Sequence, residues 1–297
     1  MIDIIIPAYN SHKTIIKTLY SIIIQKKVDD INVLIVDDCS DENFDEICTF
    51  FSKYLNIKTL RLKENKGPGV ARQYGLENTH GKYIVFLDSD DELFSENSIS
   101  ELYDEIIIED YDIAFAKMYQ EQYDIVSYHE ECLHGKMYKR SFIEKNNINF
   151  NTLSYHEDNA FNKLCLCSTD KIIYVDKIVY KYNHRESSIT NTTSGIDSMN
   201  SFIESMTWLY KRIDNLNKIN YNYASKTIAS ILHYCYFSYI SFPQTYEYII
   251  NELSFLKKKY IEYINYITPE DEFLIYNSFQ INHIPEISFN EFLNKIK

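Results

Sequence analysis

Residues 1–90 alternate between short apolar runs and helical segments, and this alternation constrains the fold more than any other feature. The apolar runs predict strands at Ile2–Ile6, Ile31–Val36, Ile57–Leu62 and Tyr83–Leu87. The run at Tyr83–Leu87 is continuously apolar, so we expect a buried parallel strand that is covered on both faces. Helices are predicted between the strands at His12–Gln25, Asn43–Tyr54 and Val70–Asn78, the first with Ser11 as its N-cap. The repeat predicts an α/β fold with a doubly wound, mostly parallel sheet flanked by helices.

Polar clusters follow the predicted strands, at Pro7–Asn10, Asp37–Asp41, Asn65–Arg72 and Asp88–Asp91. Because the carboxyl ends of parallel strands meet at one edge of a sheet, we expect these clusters to form one site. The last cluster brings three carboxylates together, which repel one another unless a cation lies between them. An all-oxygen ligand set favours Mg²⁺ or Mn²⁺, usually with substrate phosphates as further ligands. A solvated acidic turn is the alternative interpretation.

The phosphate-binding loops of two large nucleotide-binding classes are absent from the sequence. No GxGxxG follows the first strand, which disfavours a dinucleotide-binding domain, and no GxxxxGK[ST] occurs, which excludes a P-loop NTPase. Other residues still suit a nucleotide. Tyr9 could stack on a base, Asp38 could accept a hydrogen bond from a base or ribose, and Arg72 could contact phosphate or base oxygens. Each of them alone would also fit a surface turn.

Together the motifs resemble those of family 2 glycosyltransferases with the GT-A fold. The resemblance rests on the sequences PAYN at 7–10, VDDCSD at 36–41, NKG at 65–67 with AR at 71–72, and DSDD at 88–91. It is strong over residues 1–110 and partial to about residue 195. It implies an inverting transfer of a sugar from a nucleotide-diphosphate donor, with a UDP-sugar favoured, to an acceptor hydroxyl. It also implies Mn²⁺ or Mg²⁺ as the cofactor, and surface glycan or polysaccharide synthesis as the context.

The resemblance also implies roles for individual residues. Asp90 would bind the metal that bridges the diphosphate, and Asp88 would contact the ribose. Cys39 departs from the family pattern, which usually has glycine there, and restricts the turn while leaving both neighbouring aspartates in place. The expected nucleotide-binding residues are Pro7, Tyr9, Asn10, Asp38, Gly67, Arg72, Asp88 and Ser89.

An acidic pair, Glu157 and Asp158, opens a helix predicted at Asp158–Cys167. Negative charge at this position stabilises the helix dipole. Inverting transfer also needs a carboxylate that takes the proton of the acceptor hydroxyl. The pair resembles the Glu-Asp motif of the family, which implies Asp158 as the base and Glu157 as the residue that orients the base or the acceptor.

A basic segment follows two short strands predicted at Ile172–Val175 and Ile178–Tyr182. His184 could complete the metal shell or contact the diphosphate, and Arg185 could neutralise phosphate charge. A lone histidine is also compatible with a structural or solvated role.

The organisation of the chain changes near residue 195, where long helical patterns begin. We expect a catalytic domain at 1–195, with a nucleotide-sugar-binding half at 1–110 and an acceptor half at 111–195, and a helical region at 196–297. Helices are predicted at Phe202–Leu216, Tyr223–Ile240, Tyr246–Tyr266 and Asn290–Ile296. The lysines at 257–259 could touch an anionic membrane surface weakly, but their small number favours a solvated helix face.

Charge and composition limit the partners. The net charge is −13, and residues 1–200 hold 21 Lys/Arg against 33 Asp/Glu, which argues against nucleic acid. Six cysteines without a CxxC pair and the lack of a signal peptide predict free thiols in a cytoplasmic protein. A peripheral position at the inner face of the membrane is the alternative location. The acceptor could be a glycan, a lipid-linked sugar or another hydroxyl compound.

Two other functions stay open at this point. A sugar nucleotidyltransferase would also use carboxylate-bound metal but would release pyrophosphate. A catalytically inactive scaffold could bind a nucleotide-sugar without turnover, although a scaffold would not need the acidic pair at 157–158. The leading expectation is a metal-dependent inverting glycosyltransferase.

Overall fold

The computed structural model describes residues 1–28, 30–153, 155–184, 196–241, 250–268 and 288–296. The chain divides into two compact units. The first comprises Met1–Asn162 and Lys171–Ser188, and the second comprises Lys163–Asp170 and Ile189–Lys297.

A single mixed sheet organises the described part of the first unit. Its strands are β1 (Ile2–Ala8), β2 (Ile31–Asp37), β3 (Asn56–Arg61), β4 (Tyr83–Phe86), β5 (Glu92–Leu93), β6 (Ile113–Gln120), β7 (Ile125–Ser127), β8 (Lys136–Lys139) and β9 (Ile172–Tyr182). Their order is β3-β2-β1-β4-β8-β6-β9-β5, with β7 paired to β6. The four strands of the predicted α/β repeat are mutually parallel, and β8 is antiparallel to both of its neighbours.

Helices cover both faces of this sheet, as expected for buried parallel strands. They are α1 (Ile15–Ile23), α2 (Asp45–Phe51), α3 (Pro68–Glu77), α4 (Ser98–Ile108), α5 (Arg140–Lys145) and α6, which begins at Glu157 and ends at Cys167. Alternate β1 residues, including Ile4 and Ile6, pack with α1, α2 and α4 in the main core. Ile5 faces α3, where a Cβ on Gly75 would lie 2.5 Å from its Cγ2. The predicted α/β architecture is confirmed.

Two local predictions are wrong. Ser11 does not cap α1, because the helix begins four residues later and the Ser11 carbonyl accepts from the amides of Thr14 and Ile15. The two short strands predicted after α6 are one strand, β9, which passes a register shift opposite Ala116 and Lys117.

The described part of the second unit is helical, which confirms the predicted C-terminal extension. Its helices are α7 (Ile196–Ile213), α8 (Tyr221–Ser241), α9 (Ile250–Tyr263) and α10 (Phe289–Lys295). The start predicted for α9, at residue 246, lies outside the described residues. Among the described helices, none has the length and apolar character needed to cross a membrane.

Two of the three lysines that suggested a membrane contact are engaged within the second unit. Lys259 is buried, and its Nζ lies 2.7 Å from Asp214 Oδ1 and 3.0 Å from Glu262 Oε2. Lys257 Nζ donates to the Ile296 carbonyl at 2.8 Å. The charge of Lys259 is therefore neutralised locally, which weakens the case for an anionic surface as its partner.

Candidate functional site

The polar clusters lie at one edge of the sheet because the strands that precede them run parallel and in register. Ala8 at the end of β1 pairs with Asp37 at the end of β2, and Asp37 pairs with Arg61 at the end of β3. The last β4 residue, Phe86, pairs with Ile5 of β1. This carboxyl edge is where open α/β sheets bind ligands.

Asp38 anchors the loop that leads into α3. Its two carboxylate oxygens accept from the backbone amides of Lys66 and Gly67, each at 2.8 Å. Burial raises the pKa of Asp38, while these two amide hydrogen bonds act in the opposite direction. Gly67 has φ +86° and Cys39 has φ +62°, so both turns use the left-handed region, which a β-carbon disfavours. The turn at Cys39 therefore forms despite the departure from the family pattern.

The first motif forms a rim beside this turn. Asn10 exchanges two hydrogen bonds with Asp41, its Oδ1 accepting from the Asp41 amide at 2.9 Å and its Nδ2 donating to Asp41 Oδ2 at 3.1 Å. Tyr9 is 50% exposed, which suits a ring that stacks on a ligand, whereas Pro7 is buried within β1. The nucleotide-binding roles of these residues stay predictions.

Arg72 is the centre of the candidate site. It is 5% exposed, and it lies in α3 between two carboxylates. Nη1 donates to Glu157 Oε1 at 2.8 Å, and Nη2 donates to Asp88 Oδ1 at 2.7 Å. Burial alone would lower the pKa of Arg72, but the charges of Asp88, Glu157 and Asp158 outweigh this effect and raise the pKa above its ordinary value. A single buried cation thus joins the acidic turn after β4 to the acidic pair that opens α6.

A glycine makes room for this connection. A Cβ on Gly69 would lie 2.4 Å from Cγ of Glu157, so the helix α3 can approach Glu157 only without a side chain there. Burial and the charge of Asp158 raise the pKa of Glu157 to about 7, against the influence of Arg72. Asp158 is partly exposed, and its Oδ1 accepts from the Asn159 amide at 2.7 Å.

The acidic turn after β4 is tied to the end of β9. Asp91 is fully buried, with Oδ2 accepting from the Tyr180 hydroxyl at 2.7 Å and Oδ1 from the Asn183 amide at 2.9 Å. The Asn183 side chain also donates to the Asp90 carbonyl at 2.9 Å. His184 follows directly and is exposed, so the predicted metal residues Asp90 and His184 lie on two connected segments. Ser89 is buried in the same turn.

His134 is a site residue that the sequence analysis missed. Its Nε2 lies 3.2 Å from Asp88 Oδ2, on the side of the carboxylate opposite Arg72. Burial opposes a charge on the imidazole, but Cys132 and Asp88 raise the pKa of His134 well above its ordinary value. Partial burial of Asp88 opposes its negative charge, but Arg72 and His134 hold the pKa of its carboxyl well below the usual range.

The acidic turn can hold a divalent cation. Among the described residues, Asp88, Asp91 and His134 offer ligand atoms within 4.8 Å of one another. Burial together with the charges of Asp90 and Asp88 raises the pKa of Asp91 to about 8, so a cation placed here would relieve repulsion between carboxylates. The donor set fits Mg²⁺ or Mn²⁺. The assignment of the metal to Asp90 and His184 stays a prediction, and Arg185 lies outside the described residues.

The family follows from comparison of the whole site region with known proteins. Residues 3–164, more than half of the chain, match the family described as glycosyl transferase family 2. The chain belongs to this family. The four motifs that resemble the family, and Arg72 with its partners Asp88 and Glu157, fall within the matched residues.

Two named relatives of this family 2 domain are similar in sequence. The glycosyltransferase GlyA of Streptococcus pneumoniae is 29% identical over 221 residues, which cover 64% of this chain and 31% of GlyA. The poly(ribitol-phosphate) beta-N-acetylglucosaminyltransferase TarP of Staphylococcus aureus is 30% identical over 244 residues, which cover 71% of this chain and 72% of TarP. The chain therefore spans less than a third of GlyA and nearly three quarters of TarP.

Solved structures show the same GT-A fold. S. aureus TarS in complex with UDP-GlcNAc matches with a TM-score of 0.67 and 22% identity, over 92% of this chain and 83% of that one. A mannosyltransferase of Pyrobaculum calidifontis, in complex with GDP-Man and Mn²⁺, matches with a TM-score of 0.57 and 13% identity, over 93% and 79% of the two chains.

Proposed function

We propose that this family 2 domain catalyses a metal-dependent, inverting transfer of a sugar from a UDP-sugar to a hydroxyl group of a surface glycan or polysaccharide. The observation that carries the proposal is the buried Arg72, which joins Asp88 on the expected donor side to Glu157 beside the expected base. The UDP-GlcNAc complex of TarS supports a UDP-linked donor. The polymer acceptor named for TarP supports a glycan or polymer as acceptor.

In the proposed reaction Asp158 acts as the general base. It takes the proton of the acceptor hydroxyl as that oxygen attacks the anomeric carbon and the nucleoside diphosphate departs from the opposite face. A single displacement of this kind inverts the anomeric configuration. Glu157, fixed by Arg72, would orient the base or the acceptor.

The donor would bind along the carboxyl edge of the sheet. Tyr9 offers an exposed ring for the base, and Asp38 fixes the loop that contains Gly67 beside it. Asp88 would meet the ribose. Asp90, with His184, would hold the Mn²⁺ or Mg²⁺ that neutralises charge on the departing diphosphate. Burial of the acidic turn strengthens each of these charge interactions relative to water.

The proposal is tested by nucleotide release without an acceptor. The protein is incubated with a panel of UDP-, GDP- and CDP-sugars in Mn²⁺, Mg²⁺ or EDTA, and the released nucleotide is measured. We expect slow release of UDP from one UDP-sugar, with Mn²⁺ or Mg²⁺ but not with EDTA. Release of pyrophosphate from a parallel incubation with UTP and a sugar 1-phosphate would indicate nucleotidyl transfer instead. Absence of any nucleotide binding would refute the proposed function.

A further inference from the structure

The loop before β8 brings His134 onto the Asp88 carboxylate from a distant part of the chain. His134 is 8% exposed, and its ring stacks on Tyr180 with centroids 4.4 Å apart and planes 13° from parallel. The Tyr180 hydroxyl in turn accepts from the Asp88 amide at 3.3 Å. The ring of Tyr182 lies on the same aromatic surface, 5.9 Å away. The imidazole is therefore fixed in plane by aromatic contacts and in direction by one carboxylate.

The backbone of this loop is held by a buried lysine. Lys136 is fully buried, and its Nζ donates to the carbonyls of His129 and Cys132, each at 2.6 Å. Its ammonium also lies 3.8 Å from the centroid of the Phe115 ring, a cation–π contact. A buried ammonium group without hydrogen bonds would be costly. Because the acceptors of Lys136 are carbonyls of the preceding loop, the need to keep these hydrogen bonds fixes the loop.

A glycine sets the close approach of the loop to the sheet. Gly135 has φ +68°, and a Cβ there would lie 2.9 Å from the Ala116 carbonyl oxygen. The Ala116 amide donates to the Gly135 carbonyl at 2.8 Å. Only glycine combines this conformation with this proximity, and His134 is the residue placed immediately before it.

We propose that His134 is a positioning residue for donor binding, which holds Asp88 in the orientation that contacts the nucleotide. The proposal rests on the proposed function, because it takes the ligand that Asp88 contacts to be a nucleoside diphosphate. Asp88 Oδ1 is bound by Arg72 and Oδ2 by His134, so the carboxylate cannot rotate without losing a charged hydrogen bond. Without His134, only Arg72 would fix the carboxylate, and part of the donor binding energy would be used to order it.

The test uses two substitutions at this residue. His134→Phe keeps the aromatic stack and removes the N–H, whereas His134→Gln places an amide nitrogen near the position of Nε2. The matched control is His12→Phe. The His12 ring also stacks on an aromatic ring, that of Phe44, with centroids 4.1 Å apart, and its Nε2 lies 3.1 Å from the Asn43 carbonyl oxygen. We measure Kd for UDP by calorimetry in EDTA and in Mn²⁺, the donor KM and kcat, and Tm.

We expect His134→Phe to raise Kd for UDP and KM for the donor about tenfold, with a smaller change in kcat. His134→Gln should remain within about threefold of the wild type, and His12→Phe should match the wild type. The loss in His134→Phe should appear in EDTA as well as in Mn²⁺, because it acts through Asp88.

Three results would overturn the positioning role. The first is a Kd for UDP in His134→Phe equal to that of the wild type. The second is a folded His134→Gln variant whose Kd for UDP is as high as that of His134→Phe. A loss that appears only with Mn²⁺ would make His134 a metal ligand instead. A wild-type protein that binds no nucleotide would refute the proposed function itself, whereas the first three results leave nucleotide binding by the wild type intact.

Discussion

At the scale of single residues, the site contains more carboxylates than cations. Arg72 and His134 both hold Asp88 ionised, which leaves Glu157 and Asp158 to share the remaining attraction of Arg72. Burial and the neighbouring charge of Asp158 raise the pKa of Glu157 to about 7 in spite of Arg72. Below neutral pH the Glu157 carboxyl should therefore carry a proton.

This shift predicts how stability depends on pH. Since the pKa of Glu157 is higher in the folded than in the unfolded protein, its contribution is fully present below about pH 4.5 and is lost as pH rises through about 7. Between pH 6 and 8 the wild type should lose on the order of 1 kcal/mol relative to Glu157→Gln. Urea unfolding of both proteins at the two pH values measures this difference. Parallel pH curves for the two proteins would contradict it.

A second prediction at this scale concerns Gly69. The substitution Gly69→Ala should move Glu157 away from Arg72, since the new methyl group would lie 2.4 Å from Glu157 Cγ. We expect a loss of about 1–3 kcal/mol of stability, which is typical of overpacking, together with reduced kcat/KM. In a Glu157→Ala background most of the stability loss should disappear. Equal effects of Gly69→Ala in both backgrounds would show that the contact is not responsible.

How much of the site could be predicted from sequence depends on how local its geometry is. Asp38, Asp88 and Arg72 each follow or precede a strand of the parallel repeat, so their shared edge follows from the alternation alone. The contact between His134 and Asp88 joins residues 46 positions apart through antiparallel strands, which no local pattern encodes. The pairing of Arg72 with Glu157 is likewise non-local. A signal for the loop did exist in the sequence, a glycine directly after His134.

At the scale of elements, the strand β8 joins the two halves of the sheet. It lies antiparallel between β4 and β6, so it connects the parallel half to the strands that follow. Its sequence, Lys-Met-Tyr-Lys, does not alternate between polar and apolar residues. In the structure Lys136 is as fully buried as its apolar neighbours. Sequence patterns that assume buried residues are apolar therefore miss this strand.

The buried lysine predicts a difference between the two ends of β8. Lys136→Met should lower stability by about 1–3 kcal/mol, since it leaves the partly buried carbonyls of His129 and Cys132 without this donor. Lys139→Met is the matched control on the same strand. Its ion pair with Asp110, whose side chain is 61% exposed, should contribute about 0–1 kcal/mol. Urea unfolding compares the two, and equal losses would contradict the role given to the Lys136 hydrogen bonds.

At the scale of the whole molecule, the net charge of −13 bears on the acceptor. Among the described residues, the two arginines at the carboxyl edge of the sheet are paired with carboxylates, Arg61 with Asp37, and Arg72 with Asp88 and Glu157. A polyanionic acceptor would thus meet an acidic chain in which these two arginines are already paired. On charge grounds we expect an uncharged glycan to be the better acceptor, in contrast to the poly(ribitol-phosphate) polymer named for TarP.

The charge argument predicts a salt dependence. Transfer to an uncharged oligosaccharide should exceed transfer to a phosphodiester-linked polymer at about 0.01 M salt, and the difference should narrow at about 0.15 M as screening increases. Donor hydrolysis without acceptor, measured at both salt concentrations, controls for effects on the enzyme itself. Preference for the polyanion, strongest at low salt, would contradict the prediction.

The most direct test of the account is to compare transfer and donor binding in Asp158→Asn. The account predicts that transfer falls by about 10²–10⁴-fold, because the acceptor hydroxyl loses its base, while Kd for UDP stays within about twofold of the wild type. Glu157→Gln, on the neighbouring residue, should retain more activity. Wild-type turnover in Asp158→Asn would contradict the account, since the reaction would then use another base.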